Sequence, residues 1–133
     1  MRPARHVFID IDLGPLPVDE INATLGLELE PGSVILSAGA QKHIVFRHPH
    51  DYAAYLAHVG TVIKDPSYAG DDLKNNGKIE LIRRVPGADG LLVAMVVSPD
   101  EQGRYHVASF YTLTQSRIDK RREKGTVLNV KRK

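Results

Sequence analysis

Three runs of strand-forming residues, Ile79 to Val85, Leu91 to Val97 and Arg104 to Leu113, follow one another with only short breaks. The breaks, Pro86-Gly87-Ala88-Asp89-Gly90 and Pro99-Asp100-Glu101-Gln102-Gly103, are built from turn-forming residues. Loops this short return the chain beside itself, so the spacing predicts an antiparallel meander. Leu91 to Val97 is nearly all apolar, which predicts a central strand covered on at least one face. Strict alternation in the third run puts Tyr105, Val107, Ser109 and Tyr111 on one face and His106, Ala108, Phe110 and Thr112 on the other. Arg83 and Arg84 then point to opposite faces, so only one of them can face a cleft.

The first half reads differently. His6 to Leu13 suits a strand, broken by Gly14-Pro15-Leu16-Pro17. Val18 to Leu25 suits a short helix closed by Gly26, and Val34-Ile35-Leu36 a short strand after the Glu30-Pro31-Gly32 turn. Ser37 is a plausible N-cap for a helix that runs to about His48, because Pro49 biases the residue before it out of the α region. A further helix is predicted over Asp51 to His58, with Tyr52, Tyr55, Leu56 and Val59 as its apolar stripe. Asp65-Pro66-Ser67-Tyr68 and Asn75-Asn76-Gly77 bracket a polar loop. Ser116 to Lys124 reads as a basic helix ended by Gly125, and Thr126 to Val130 as a last strand. The expected class is α+β in a single domain of 133 residues, helices first and an antiparallel meander after them.

The chain has no cysteine, which removes disulfides, thiolate metal sites and cysteine nucleophiles. It has no apolar run near 18 residues, and Asp10 and Asp12 interrupt the apolar segment after the basic start, so neither a membrane span nor a signal peptide is expected and the cytoplasm is the default location. The net charge of +2 is unevenly spread. Residues 117–133 hold eight lysines and arginines against Asp119 and Glu123, a local +6, which leaves −4 on the first 116 residues. A basic C-terminal segment on a mildly acidic body fits a nucleic-acid footprint, and it equally fits a solvated helix with a frayed tail.

The densest chemistry lies in Lys42-His43-Ile44-Val45-Phe46-Arg47-His48-Pro49. On a helix His43 and Arg47 share a face, an imidazole beside a fixed guanidinium. His48-x-His50 has a proline between the imidazoles and lacks the spacing of zinc hydrolases, so no metal site is expected. No GxxxxGK[ST], GxGxxG or GxSxG occurs, so nucleotide-binding loops and the serine hydrolase elbow are missing. Cofactor-free RNA cleavage fits better. It needs a base for the 2′-hydroxyl proton, an acid for the leaving 5′-oxygen and cations for the phosphorane. His43, Arg47 and His48 would come from the helix, and Ser109, Tyr111 and Thr112 would donate hydrogen bonds from a strand. Arg117, Lys120 or Lys124 would hold phosphates.

Each residue also has a plainer role. His43 is equally an ordinary polar residue on a helix surface, Arg47 a partner for Asp51, and His48 a helix C-cap. His106 reads as a packed or solvent-facing strand residue, and Tyr52 and Tyr55 as core. Tyr111 is either a core-edge ring or a phosphate donor.

The motif order KHIVFRHPHDY, IELIRRV, LLVAMVV, YHVASFYTLT and IDKRREKGTVL resembles the phage-associated PBECR nucleases, a group within the barnase, EndoU, colicin and RelE-like ribonuclease superfamily. The likeness covers roughly residues 34 to 130 and leaves 1–33 as an N-terminal extension. It implies N-terminal helices packed on a four-stranded antiparallel sheet. It also implies metal-independent RNA cleavage, often leaving a 2′,3′-cyclic phosphate. Such domains occur in phage proteins and in toxins, which brings in an immunity or antitoxin protein as a separate partner. By motif match the catalytic histidine falls on His43 or His48, the strand donors on Ser109, Tyr111 and Thr112, and the basic residues ahead of the glycine on Arg121 and Lys124.

Three readings follow. The first is a small metal-independent endoribonuclease acting on transfer, ribosomal or messenger RNA without a cofactor. In it His43 takes the 2′-hydroxyl proton, His48 is alternative base or acid, Arg47 and Lys124 stabilise the phosphorane, and Ser109 and Thr112 position a non-bridging oxygen. The second is a non-catalytic nucleic-acid-binding relative of the same fold. The third is a phage interaction module that binds neither RNA nor DNA.

Overall fold

The computed structural model describes residues 7–71 and 77–131. The basic start through His6, residues 72–76 with Asn75 and Asn76 of the predicted loop, and the last two residues lie outside the described residues. The elements run β1 (Ile11–Pro15), α1 (Val18–Leu25), β2 (Ser33–Leu36), α2 (Ala38–Arg47), α3 (Pro49–Tyr55), a 3₁₀ turn (Leu56–His58), α4 (Val59–Lys64), β3 (Tyr68–Asp71), β4 (Lys78–Val85), β5 (Ala88–Val96), β6 (Tyr105–Leu113), α5 (Gln115–Glu123) and β7 (Leu128–Asn129).

The local stop and start signals act where the sequence puts them. Gly26 closes α1 in the left-handed conformation at φ 69°, which a glycine adopts without a Cβ penalty. The Ser37 hydroxyl accepts from the Ala40 N–H and caps α2. His48 is the non-helical joint between α2 and α3, and Pro49 takes the first position of α3, where its missing N–H is not needed. The helix predicted over Asp51 to His58 therefore starts at Pro49 and ends at Tyr55, followed by the 3₁₀ turn.

The class is α+β, but the sheet is not the expected four-stranded antiparallel one. It is mixed and has seven strands among the described residues, in the order β1-β2-β6-β5-β4-β3-β7. β3 to β6 do form an antiparallel meander. β2 pairs with β6 in parallel, β1 pairs with β2, and β7 flanks β3. The sequence predicts a strand at each of β1, β2 and β7, but these short strands of five, four and two residues join the meander in one sheet, and β1 runs on through Gly14 to Pro15. The strand the sequence does not predict is β3, whose four residues lie inside the segment read as a polar loop and show too few alternations to stand out.

Helices α1 to α4 cover one face of the sheet. There Ile21, Ile44, Tyr52, Val59, Val62 and Ile63 meet Leu36, Ile79, Leu81, Leu91, Val93, Met95, Tyr105, Val107 and Phe110 in the main core. α5 covers part of the other face, where Ile118 packs with Ile82, Leu92, Leu113 and Val127 in a smaller core. The C-terminal segment closes against β3 at Gly70. A Cβ built there would sit 2.5 Å from the Thr126 carbonyl oxygen and 2.9 Å from Val127 Cγ1. Backbone cannot swing aside as a side-chain tip can, so Gly70→Ala should lower stability by about 1–3 kcal/mol. The shift of the urea midpoint at constant slope measures this.

Strict alternation fails once, inside β6. Ala94 pairs with Ser109 but Met95 pairs with Val107, which leaves Ala108 as the extra residue of a β-bulge. Tyr105 and Val107 therefore share the helix-covered face with Phe110, while His106, Ser109 and Tyr111 share the other. The face assignment predicted from alternation holds only on one side of Ala108.

Candidate active site

α5 packs over Gly90 with Ile118, where an added Cβ would come within 2.6 Å of Ile118 Cδ1. It leaves the rest of that sheet face open. Rows of paired residues run across the open part: Glu80 with Ala94 and Ser109, then Ile82 with Leu92 and Tyr111, and at the other end Lys78 with Val96 and His106. The small Ala94 lies between Glu80 and Ser109, so the floor dips there. The result is a cleft of about 250 Å³ lined by His43, Lys78, Glu80, Ala94, Ala108, Ser109 and Tyr111.

His43 enters this cleft from α2 because β2 pairs with β6 only through Tyr105 and His106. Beyond that point the edge of β6 is free of β2, and the α2–α3 joint comes up beside it. The His48 ring stacks on Tyr111 at 5.1 Å between centroids and 26° between planes. Tyr52 stacks on Phe110 from the helix side at 6.0 Å. The Asp51 carboxylate accepts from the Thr112 N–H at 3.1 Å and faces the Thr112 hydroxyl at 3.2 Å. Asp51 thus satisfies an N–H that an edge strand would otherwise expose.

Arg121 reaches in from α5. Its guanidinium donates to Glu80 Oε1 at 2.8 Å, with both side chains mostly buried, and its charge acts on the Tyr111 phenol. Burial, and next the Glu80 charge, push the Tyr111 phenol above its ordinary range, against the opposing pull of Arg121 and Arg117. Tyr111 therefore stays protonated at neutral pH and can donate a hydrogen bond. Arg117, Arg121 and Lys124 recur at four- and three-residue spacing and so share one side of α5.

Of the residues singled out in the sequence, His43, Ser109 and Tyr111 line one cleft, with His48 against the Tyr111 ring and Arg121 at its edge. Arg47 is exposed one turn along α2 from His43. Lys120 and Lys124 are exposed on the basic helix and its cap. Thr112 is turned away, onto Asp51. Glu80 and Lys78 were not singled out. Their signal was present: in Lys78-Ile79-Glu80-Leu81-Ile82, alternation puts Lys78 and Glu80 on the face opposite the buried Ile79 and Leu81. A charged pair on one face of an otherwise apolar strand marks an open stretch of sheet.

A second polar cluster stands on the same face, beyond the cleft. His106 Nε2 lies 2.7 Å from Asp100 Oδ2. The Asp100 carboxylate also accepts from the Gln102 N–H, the Arg104 N–H and Arg104 Nε, at 2.9 to 3.0 Å. The hydrogen bond to His106 and those to Arg104 hold the Asp100 carboxyl well below the usual carboxylate range. Among the described residues, no group of three or more histidine and acidic side chains comes together as a metal-ligand set. No described helix is long and apolar enough to cross a membrane.

A family model described as phage-Barnase-EndoU-ColicinE5/D-RelE like nuclease3 matches residues 13–120. The match takes in His43, Glu80, Ser109, Tyr111 and Arg117 and ends one residue before Arg121. No curated protein and no solved structure matches the chain.

Proposed function

We propose that this chain, which belongs to the phage-Barnase-EndoU-ColicinE5/D-RelE like nuclease family, is an endoribonuclease that uses the RNA's own 2′-hydroxyl as nucleophile. The observation that carries the reading is the convergence of His43 from α2, Glu80 from β4, Ser109 and Tyr111 from β6 and Arg121 from α5 on one cleft. Transesterification needs two proton-handling groups on either side of a phosphate, with cations and donors around it. Glu80 and His43 supply the first requirement. Arg121, Tyr111 and Ser109 supply the second.

In this mechanism the 2′-oxygen attacks phosphorus and its proton passes to the Glu80 carboxylate, which has acceptor positions beyond the one Arg121 fills. The bond to the 5′-oxygen breaks, and the His43 imidazolium gives that oxygen its proton. The products are a 2′,3′-cyclic phosphate and a 5′-hydroxyl. This differs from the sequence-based assignment of the base to His43, which was made without Glu80. The carboxylate serves as the base and the imidazole as the proton donor, one on each side of the phosphate. Arg121, held on Glu80, would offset the developing charge, and Arg117 and Lys124 would hold flanking backbone phosphates.

The test is incubation of the purified protein with total bacterial RNA in excess EDTA, beside His43→Ala and Glu80→Gln variants. The expected outcome is EDTA-resistant fragmentation that leaves 2′,3′-cyclic phosphate ends and is lost in both variants. Intact RNA with salt-dependent binding would instead make the domain a nucleic-acid-binding module, and fragmentation by both variants at the full rate would refute the assigned residues.

A further inference from the structure

We propose that His106, oriented by Asp100, and Lys78, which lines one end of the cleft, form a second phosphate subsite at that end, which takes the RNA phosphate next to the one being cleaved. The inference rests on the ribonuclease reading for its substrate and on independent geometry for its place. Lys78 and His106 are the two residues paired across the sheet with Val96, so they flank it on the cleft face. Their row is two residues along β5 from the row of Glu80, Ala94 and Ser109, a step of about 6.8 Å in an antiparallel strand. That is one row beyond the row of Glu80, Ala94 and Ser109, on the same open face of the sheet.

The imidazole is held for this purpose. Asp100 is fixed by donors from Gln102, Arg104 and His106, which leaves little freedom in the β5–β6 turn. A carboxylate fixed against Nε2 makes that nitrogen the donor toward Asp100, so Nδ1 is the one left to meet a ligand. Asp100 is thus a positioning residue, and a ring that carries a proton on both nitrogens can donate from Nδ1 to a phosphate oxygen while Nε2 stays on Asp100. The His106 side chain is 36% exposed and so open to a ligand. Lys78 adds a flexible point charge from the other side of Val96. The cleft mechanism uses neither residue.

Two measurements test the subsite. In the first, a dinucleoside monophosphate and the same dinucleotide bearing added terminal phosphates are compared as substrates. The wild type should show a KM about five- to tenfold lower for the extended substrate, the scale of one charge-assisted hydrogen bond at a half-exposed site. In His106→Gln, which keeps a donor toward Asp100 but no charge, and in Asp100→Asn, the ratio of the two KM values should fall toward one. Loss of kcat on both substrates with the KM ratio kept would place His106 at the scissile phosphate and overturn the proposal.

The second measurement is binding of a 2′-O-methyl trinucleotide, which cannot be cleaved by this chemistry. Its Kd should weaken about five- to tenfold in His106→Gln, with the melting temperature checked beside it. An unchanged Kd overturns the subsite whether or not the protein cleaves RNA. A weakened Kd in a protein that leaves RNA intact keeps the subsite and discards the ribonuclease reading.

Discussion

His43→Ala is expected to lower kcat for RNA cleavage by about 10²- to 10⁴-fold, the range of a single general acid or base. It should change stability by no more than about 0.5 kcal/mol, because His43 is exposed on α2 and no core contact depends on its ring. KM should hardly move, since a group that gives its proton to the leaving oxygen acts in the transition state and contributes little to ground-state binding. Glu80→Gln should match it in kcat while losing stability as well, since it removes the charged partner of Arg121. Single-turnover cleavage of a defined oligonucleotide, run beside thermal melts, separates these effects. A rate for His43→Ala within a few fold of wild type would sink the assignment. His48→Ala is then the next variant to measure, and its loss of rate must be read with the Tyr111 ring in mind, because His48 stacks on it.

The parts of this molecule that were legible in the sequence are those written locally. Gly26, Ser37 and Gly125 end or start helices through backbone geometry and single hydrogen bonds within a few residues. The three long strands announced themselves by length, composition and turn chemistry. The site was legible where one element carried it, as with His43 on α2 and Ser109 and Tyr111 on β6. What stayed hidden depends on distant parts of the chain meeting. The Glu80–Arg121 pair joins residues 41 apart and requires α5 to fold back over the sheet. Thr112 is withdrawn from the cleft by Asp51, 61 residues earlier. The parallel β2–β6 pairing brings the α2–α3 joint beside β6, and no short-range pattern encodes a crossover.

Phe110→Ala is expected to lower stability by about 3–5 kcal/mol, whereas deleting Ala108 from the same strand should leave the faces of β6 as they are. Phe110 is fully buried and stacks on Tyr52 from the helix side, so its loss empties the centre of the main core. A loss of that size is a large part of the total of about 5–15 kcal/mol for a domain, and the urea midpoint should fall far below wild type. Ala108 is the extra residue opposite the Ala94–Met95 step. Without it Val107 and Ser109 become neighbours, and strict alternation keeps Tyr105, Val107 and Phe110 on the helix-covered face and His106, Ser109 and Tyr111 on the other. Met95 still faces Val107 and Ala94 still faces Ser109, so the register to β5 is kept. What the deletion removes is the local bend and added twist of the bulge. The deletion variant should therefore keep a cooperative urea transition, with the greater loss in cleavage rate, because a bulge beside a cleft re-aims the side chains around it. A deletion variant with no cooperative transition would mean that the bend itself, and not the alternation of side chains, holds β6 between the helix layer and the cleft.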